Sequence, residues 1–325
     1  MTRSVRTGVV TMLAGAAGSQ TGAALGAHAF AAIGPAGVVA IRQLVAAAVL
    51  VPVARPPLRR FTWAQWWPVL LLALVFGVMN LSLYTAVDRV GLGLAVTLEF
   101  LGPLAVGLAG SRTRADLLCG LLAGAGVYVL VLPGPAGDYL GVGLGLLAAG
   151  CWAAYILLNR LAGKRIPGLA APAAATLLSA LAYLPVAAFL LAGGRLDARS
   201  LLYAIGAGVL SSVLPYAADL VALRRVPAPF FGVFMSIHPV LAALAGLLLL
   251  DQSLTPHEWL GIATIVTANA AAMRAAAVRA AAVRAAGLRA PVVRGGVVRD
   301  GVVDLSRPVS GLGRAVEPAT GRSPK

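Results

Sequence analysis

Few ionisable residues fall inside the long apolar runs of this chain, and Glu99, His238 and Arg42 are the foremost candidates for chemistry there. In lipid, a charge at the bilayer centre costs ~2.5–3.5 kcal/mol on insertion scales, so each such residue is a functional candidate. Glu99 lies eight residues into the run 91–110, about 12 Å along a helix. Pro103 follows four residues later and lacks the N–H that would have bonded the Glu99 carbonyl. A carboxylate beside a freed carbonyl makes a site for a cation or an amine. A structural pair with an arginine is the alternative.

His238 directly precedes Pro239, the second candidate helix break, in the run 228–250. Imidazole titrates near neutrality, which suits proton coupling, although a lone histidine also serves as a hydrogen-bonded packing residue. Arg42 lies early in the run 36–54. It could pair with Glu99, hold a substrate carboxylate through a bidentate contact, or snorkel to the interface. Gln20, Asn80, Tyr84, Trp152, Tyr155, Asn159 and Tyr216 add polar edges that line a cavity or join helices. Asp219 and Asp251 fall near run ends and are expected to be structural acids at the interface.

The elements that must position these residues are transmembrane helices. Hydrophobic residues make up 60% of the 325 and charged ones 11%; a soluble domain carries about 25% charged. Mean hydropathy is +0.90. Apolar runs of spanning length predict ten helices, at 8–28, 36–54, 67–87, 91–110, 115–133, 140–158, 169–192, 200–222, 228–250 and 257–273. Arg3 and Arg6 followed by an apolar stretch and Ala27-His28-Ala29 also have the form of a signal peptide. The stretch 8–27 is long enough to span, and further spans follow it, so a retained first helix is expected.

The positive-inside rule orients the ten spans. One side carries Arg3, Arg6, Arg55, Arg59, Arg60, Arg112, Arg114, Arg160, Lys164, Arg165, Arg224 and Arg225, the other only Arg89, Arg195 and Arg199. Both termini are therefore expected in the cytoplasm, with residues 1–7 preceding the first span. Trp63, Trp66, Trp67 and Trp259 lie where interfacial anchors belong.

An internal repeat is visible at an offset of 136 residues: 89–110 (RVGLGLAVTLEFLGPLAVGLAG) aligns with 225–246 (RVPAPFFGVFMSIHPVLAALAG). Arg89 meets Arg225 and Pro103 meets Pro239. Residues 8–133 and 140–273 then hold five spans each. Five is odd, so the second half enters the membrane upside down, the arrangement of many secondary transporters. The expected fold is an all-α integral membrane protein of ten transmembrane helices in two inverted five-helix repeats.

No phosphate-binding loop, metal-ligand cluster or disulfide framework is present, so neither ATP, metal nor another cofactor is expected. The net charge of +15 does not indicate nucleic acid, because basic residues sit in short clusters between apolar runs; the tail beyond residue 273 alone contributes +7. In that tail, 274–325, Arg274, Arg279, Arg284, Arg289, Arg294 and Arg299 recur every five residues, a spacing that spirals around a helix instead of forming one face. Alanine extends the tenth helix toward Pro291, and disorder is expected beyond, with loose attraction to anionic lipid. Gly22-xxx-Gly26 and Gly120-xxx-Gly124 permit close helix contact.

The strings LAVTLEFLGPLAV (94–106), GCWAAYIL (150–157), LSSVLPYAADLVALRRVP (210–227) and FGVFMSIHPVLAALAG (231–246) resemble the EamA-type branch of the drug/metabolite transporter superfamily. Within it, the likeness is to bacterial threonine/homoserine exporters, over 8–273. The resemblance implies a ten-helix protein of the bacterial inner membrane that exports amino acids by proton antiport. Glu99 and Arg42 match the family's acid and arginine, and Asp219 and Asp251 stand where glutamates are usual. His238 departs from the pattern, replacing a glutamate.

The expected partners are a small amphipathic metabolite, protons and lipid. Export of drugs, nucleosides or sugars by the same fold is the alternative, and a polytopic membrane enzyme is a weaker one, since His28, His238 and His257 are scattered. A reporter fused after residue 273 should be active only on the cytoplasmic side; activity outside the cell would overturn the two-halves reading.

Overall fold

The computed structural model describes residues 3–109, 114–130, 138–166, 168–215, 218, 234–289, 298, 299, 302 and 303. It forms two units, Met1–Ala277 and Val278–Lys325. The first is a helical bundle: α1 (Arg3–Ala27), α2 (Phe30–Ala54), a 3-10 turn at Leu58–Arg60, α3 (Trp63–Val90), α4 (Leu92–Glu99), α5 (Leu101–Ala109), α6 (Arg114–Leu130), α7 (Tyr139–Gly163), α8 (Ala170–Ala182), α9 (Leu184–Ala192), α10 (Ala198–Gly208) with a π turn at Val209–Val213, α11 (His238–Leu249) and α12 (Pro256–Arg289). The second unit contains the end of α12 and a two-residue antiparallel pair in which Val298 faces Val303.

The chain is a helical integral membrane protein. Phe30–Ala54, Trp63–Val90, Tyr139–Gly163 and the broken helix Ala170–Ala192 are long and apolar enough to cross a bilayer, and shorter apolar helices accompany them. Large apolar side chains face outward along them, Leu74 at 63%, Leu202 at 71% and Leu248 at 74% exposure. In water such a surface would drive aggregation; in lipid it needs no cover. Helices satisfy their own backbone, which lipid cannot do for them.

Helix ends depart from the sequence expectation where local chemistry intervenes. The second helix starts at Phe30, ahead of the expected 36, and kinks at Gly34, whose φ of 68° leads into Pro35. The third begins at Trp63 on a Thr62–Gln65 capping box, so Trp63, Trp66 and Trp67 are helical instead of leading into the helix. The seventh span breaks at Tyr183, whose hydroxyl donates to the Gly77 carbonyl at 2.9 Å. The last helix, by contrast, runs on through its alanines to Arg289, in line with the expected extension toward Pro291. Of the expected disordered tail, most lies outside the described residues.

Two breaks bear on function. The fourth span divides at Phe100 between α4 and α5, three residues before Pro103. Ser236 and Ile237 form a turn before α11, with Pro239 in that helix's first turn, where its missing N–H costs nothing. Pro239 thus sits just after a helix interruption, in the first turn of the helix that follows it. The helices α4 and α11 run antiparallel: Leu92 lies against Gly246, Gly93 against Ala243, and Phe100 against His238. Similarly α2 packs on α8, and the Gln43 amide donates to Ser179 Oγ at 3.1 Å. Outside the spans, Asp138 caps α7 by accepting from the Gly141 N–H at 2.9 Å and pairs with Arg89 at 2.9 Å. The Gly141 N–H, then Arg89, hold its carboxyl below the usual range. Its contribution is therefore complete above the ordinary carboxylate pKa and fades as pH falls through the lowered one.

The two Gly-xxx-Gly motifs separate in three dimensions. A Cβ on Gly22 would lie 2.8 Å from the Ser211 backbone nitrogen, and one on Gly26 3.0 Å from the Tyr84 ring. A Cβ on Gly124 would meet nothing within 4 Å. Gly22→Ala should therefore cost about 1–3 kcal/mol through overpacking, whereas Gly124→Ala should be neutral or gain up to ~1 kcal/mol of helix propensity. Thermal unfolding in detergent checks both; equal midpoints for the two variants would contradict this packing.

Candidate functional site

Arg42 is placed by the kinked helix α2 and held by the π turn that follows α10. Its Nε donates to Ser212 Oγ at 3.0 Å and its Nη2 to the Ser211 carbonyl at 3.1 Å. A π turn widens the helix and shifts its hydrogen bonding from i+4 to i+5, as in the Leu214 N–H bonding the Val209 carbonyl. That irregularity lets a mid-helix carbonyl take an external donor. The guanidinium also stands 5.1 Å over the Tyr84 ring. Arg42 therefore turns into the bundle; it does not snorkel.

Glu99 ends α4 and is buried, 6% exposed. Its carbonyl faces the gap left by the missing Pro103 N–H, and the chain turns at Phe100. Arg42 is the cation whose field reaches Glu99, and Glu99 in turn acts on Cys151. The two charges do not touch: among the described residues the ion pair within 4.0 Å is Arg89–Asp138.

His238 opens α11. Its Nδ1 lies 3.1 Å from Gln20 Nε2 on α1, and its ring stacks on Phe100 with centroids 5.4 Å apart. Its Nε2 is buried with no hydrogen-bond partner among the described residues, a state shared by the Tyr84 hydroxyl and Asn269 Nδ2. Glu99 and His238 thus flank the same ring, Phe100, one by sequence and one by stacking.

A cavity of about 640 Å³ opens beside this ring. Arg42, Phe100, Pro103, Trp152 and Tyr155 line it, with Arg160 also on its wall. Phe100 meets Trp152 edge to face at 4.6 Å, and Phe76 stacks on Tyr155 at 5.9 Å. The cavity therefore combines two arginines, aromatic faces and a few hydroxyls, which suits a small amphipathic molecule bearing an anionic group. Glu99, His238 and Gln20 are not on its wall; they connect to it through Phe100.

Not every candidate gathers here. Asn80 spends its Nδ2 on the Phe76 carbonyl at 2.7 Å, and its helix offers Phe76 and Met79 to the cavity instead. Tyr84 is buried beneath Arg42. Asp251 is exposed at a φ of 53°, and it is the next residue, Gln252, that caps α4 by accepting the Leu92 N–H at 2.9 Å. Tyr216 and Asp219 lie outside the described residues. Sequence reasoning missed Ser211, Ser212, Ser236, Thr176 and Asn269, all on the cavity wall. Asn269 carried a signal, an amide in an otherwise apolar stretch of the last span; the serines carried none beyond polarity.

Comparison with known proteins accords with this architecture. Residues 139–273 match the EamA-like transporter family. The threonine/homoserine exporter RhtA of Escherichia coli (strain K12) is 37% identical over 268 residues, 80% of this chain and 89% of that one. The exporter of the same name from Salmonella typhimurium (strain LT2) is 36% identical over the same shares. One solved crystal structure shares the fold at a TM-score of 0.55 and 18% identity, over 83% of this chain and 99% of that chain. A bundle of apolar helices around a mixed cationic and aromatic cavity, with relatives of this closeness over most of its length, belongs to the EamA-like transporter family, and the chain is a transporter, not an enzyme.

Proposed function

We propose that this protein exports small amino acids such as threonine and homoserine from the bacterial cytoplasm across the inner membrane by proton antiport. Arg42 is the observation that carries the reading. It lines the cavity, is fixed by two hydrogen bonds and an aromatic face, and among the described residues these two bonds use two of its five N–H donors. That is a receptor for a substrate carboxylate. Glu99, buried and within reach of the Arg42 charge, is the group to carry the proton. The relatives' printed activity supplies the substrate class.

The scaffold on this reading is ten spans in two inverted five-helix repeats, 8–133 and 140–273, with both termini cytoplasmic and 274–325 as a basic tail. Two observations support it. Gln43 and Ser179 are 136 residues apart, the repeat offset, and they hydrogen-bond directly, so equivalent positions meet as they would at a two-fold axis. Ser236, at the turn before α11, is likewise 136 residues beyond Phe100, where the fourth span breaks.

Export of a larger amphipathic cargo, a drug, nucleoside or sugar, is the second reading, favoured by a 640 Å³ cavity with four aromatic side chains on its wall. Comparing metabolites in medium from expressing and deleted cells separates the two.

In proteoliposomes, Glu99→Gln should abolish accumulation of labelled threonine driven by a pH gradient while leaving exchange at equal pH measurable; wild-type accumulation would end the proton role. Arg42→Lys keeps the charge but loses the fork, so it should weaken half-saturation about tenfold, roughly 1.4 kcal/mol. An unchanged half-saturation would remove Arg42 as the carboxylate receptor.

A further inference from the structure

We propose that Asn269, on the last span, determines specificity by reading a hydroxyl group on the transported amino acid. This rests on the amino-acid reading above and deepens it. Asn269 is 2% exposed, lines the cavity that Arg42 lines, and its Nδ2 has no partner among the described residues. Leaving a buried amide unpaired is costly, and an apolar residue of the same shape would avoid that cost. The flanking Ala268 and Ala272 show what the position would otherwise hold, since both pack into an apolar cluster with Leu104, Cys119 and Ala123.

Among the described residues the Asn269 Nδ2 joins no neighbouring helix, as the amide of a helix-joining residue would. Three hydroxyls on the same wall are already engaged. Thr176 Oγ1 donates to the Pro172 carbonyl at 2.9 Å, and Ser211 Oγ to the Ser19 carbonyl at 2.8 Å. Ser212 Oγ accepts from Arg42 at 3.0 Å. Asn269 has its donors in reserve.

A carboxamide offers an acceptor and two donors on one plane, and a hydroxyl is both donor and acceptor, so the two match in either orientation. With the substrate carboxylate on Arg42, the amide supplies a second polar attachment that an aliphatic amino acid cannot use. Discrimination of this kind is strong when a site polar group is left unpaired by the wrong substrate.

The test uses the purified full-length protein in proteoliposomes, with threonine and homoserine set against 2-aminobutyrate, the deoxy form of both. Ligand-induced thermal stabilisation of the same preparations gives a readout independent of turnover. The wild type should prefer the hydroxylated substrates. Asn269→Ala and Asn269→Leu should lower that preference about tenfold by weakening threonine and homoserine while leaving 2-aminobutyrate nearly unchanged, and Asn269→Ser should restore part of it. Equal losses for all three substrates in a folded variant, an unchanged preference, or a wild type without preference would each overturn the role of Asn269. A wild type that moves none of the three would overturn the amino-acid reading along with it.

Discussion

Lipid offers no hydrogen bonds, and this constraint orders the molecule. Every polar group inside the bundle must find its partner in protein, and most do so locally. Thr85, Thr97 and Thr176 each return their hydroxyl to the carbonyl four residues back. Across helices, Gln43 bonds Ser179 and Ser211 bonds Ser19. Against that background, the buried polar atoms left without partners, on Tyr84, His238 and Asn269, are informative. Tyr84 underlies Arg42, His238 stacks on the ring that follows Glu99, and Asn269 lines the cavity. Polar capacity is withheld from the scaffold and concentrated around one space.

The backbone follows the same logic. Helix breaks in lipid are tolerated where they line a cavity or are buried in protein. The interruptions at Phe100 and at Ser236–Ile237 both border the site, and the π turn at Val209–Val213 supplies the carbonyl that Arg42 uses. The chemistry is unevenly distributed between the halves: Glu99 aligns with Met235, and His238 with Gly102. A Cβ on Gly102 would lie 3.1 Å from the Ala149 carbonyl carbon, so this position cannot carry a side chain, whereas its counterpart carries an imidazole.

What the sequence made legible was what depends on one residue's own chemistry. Glu99 stood out because a lone carboxylate in an apolar run is costly, and the break beside it because proline has no N–H. The all-helical membrane class followed from composition. What stayed hidden depends on the opposing surface. Gly22 and Gly120 head the same motif, yet Gly22 faces a backbone and Gly120 only a leucine methyl 3.4 Å away. The π turn has no compositional mark, so the anchoring of Arg42 by Ser211 and Ser212 could not be read. Asn269 sits among alanines leading into the arginine-spaced helix, and its amide is a signal that does not say which face it occupies. At Pro239 the interruption lies at Ser236–Ile237, just ahead of the proline, as the one at Phe100 lies ahead of Pro103.

The π turn has a consequence for the resting state. A transporter of two interchangeable halves would favour neither facing direction, since swapping the halves' conformations would return the same energy. On the inverted-repeat reading, the counterpart of α10 and its π turn is α3, an unbroken α-helix from Trp63 to Val90. One half therefore contains a wider, slightly rotated turn that the other lacks. On that reading symmetry does not require the two facing directions to be equal in free energy at this turn.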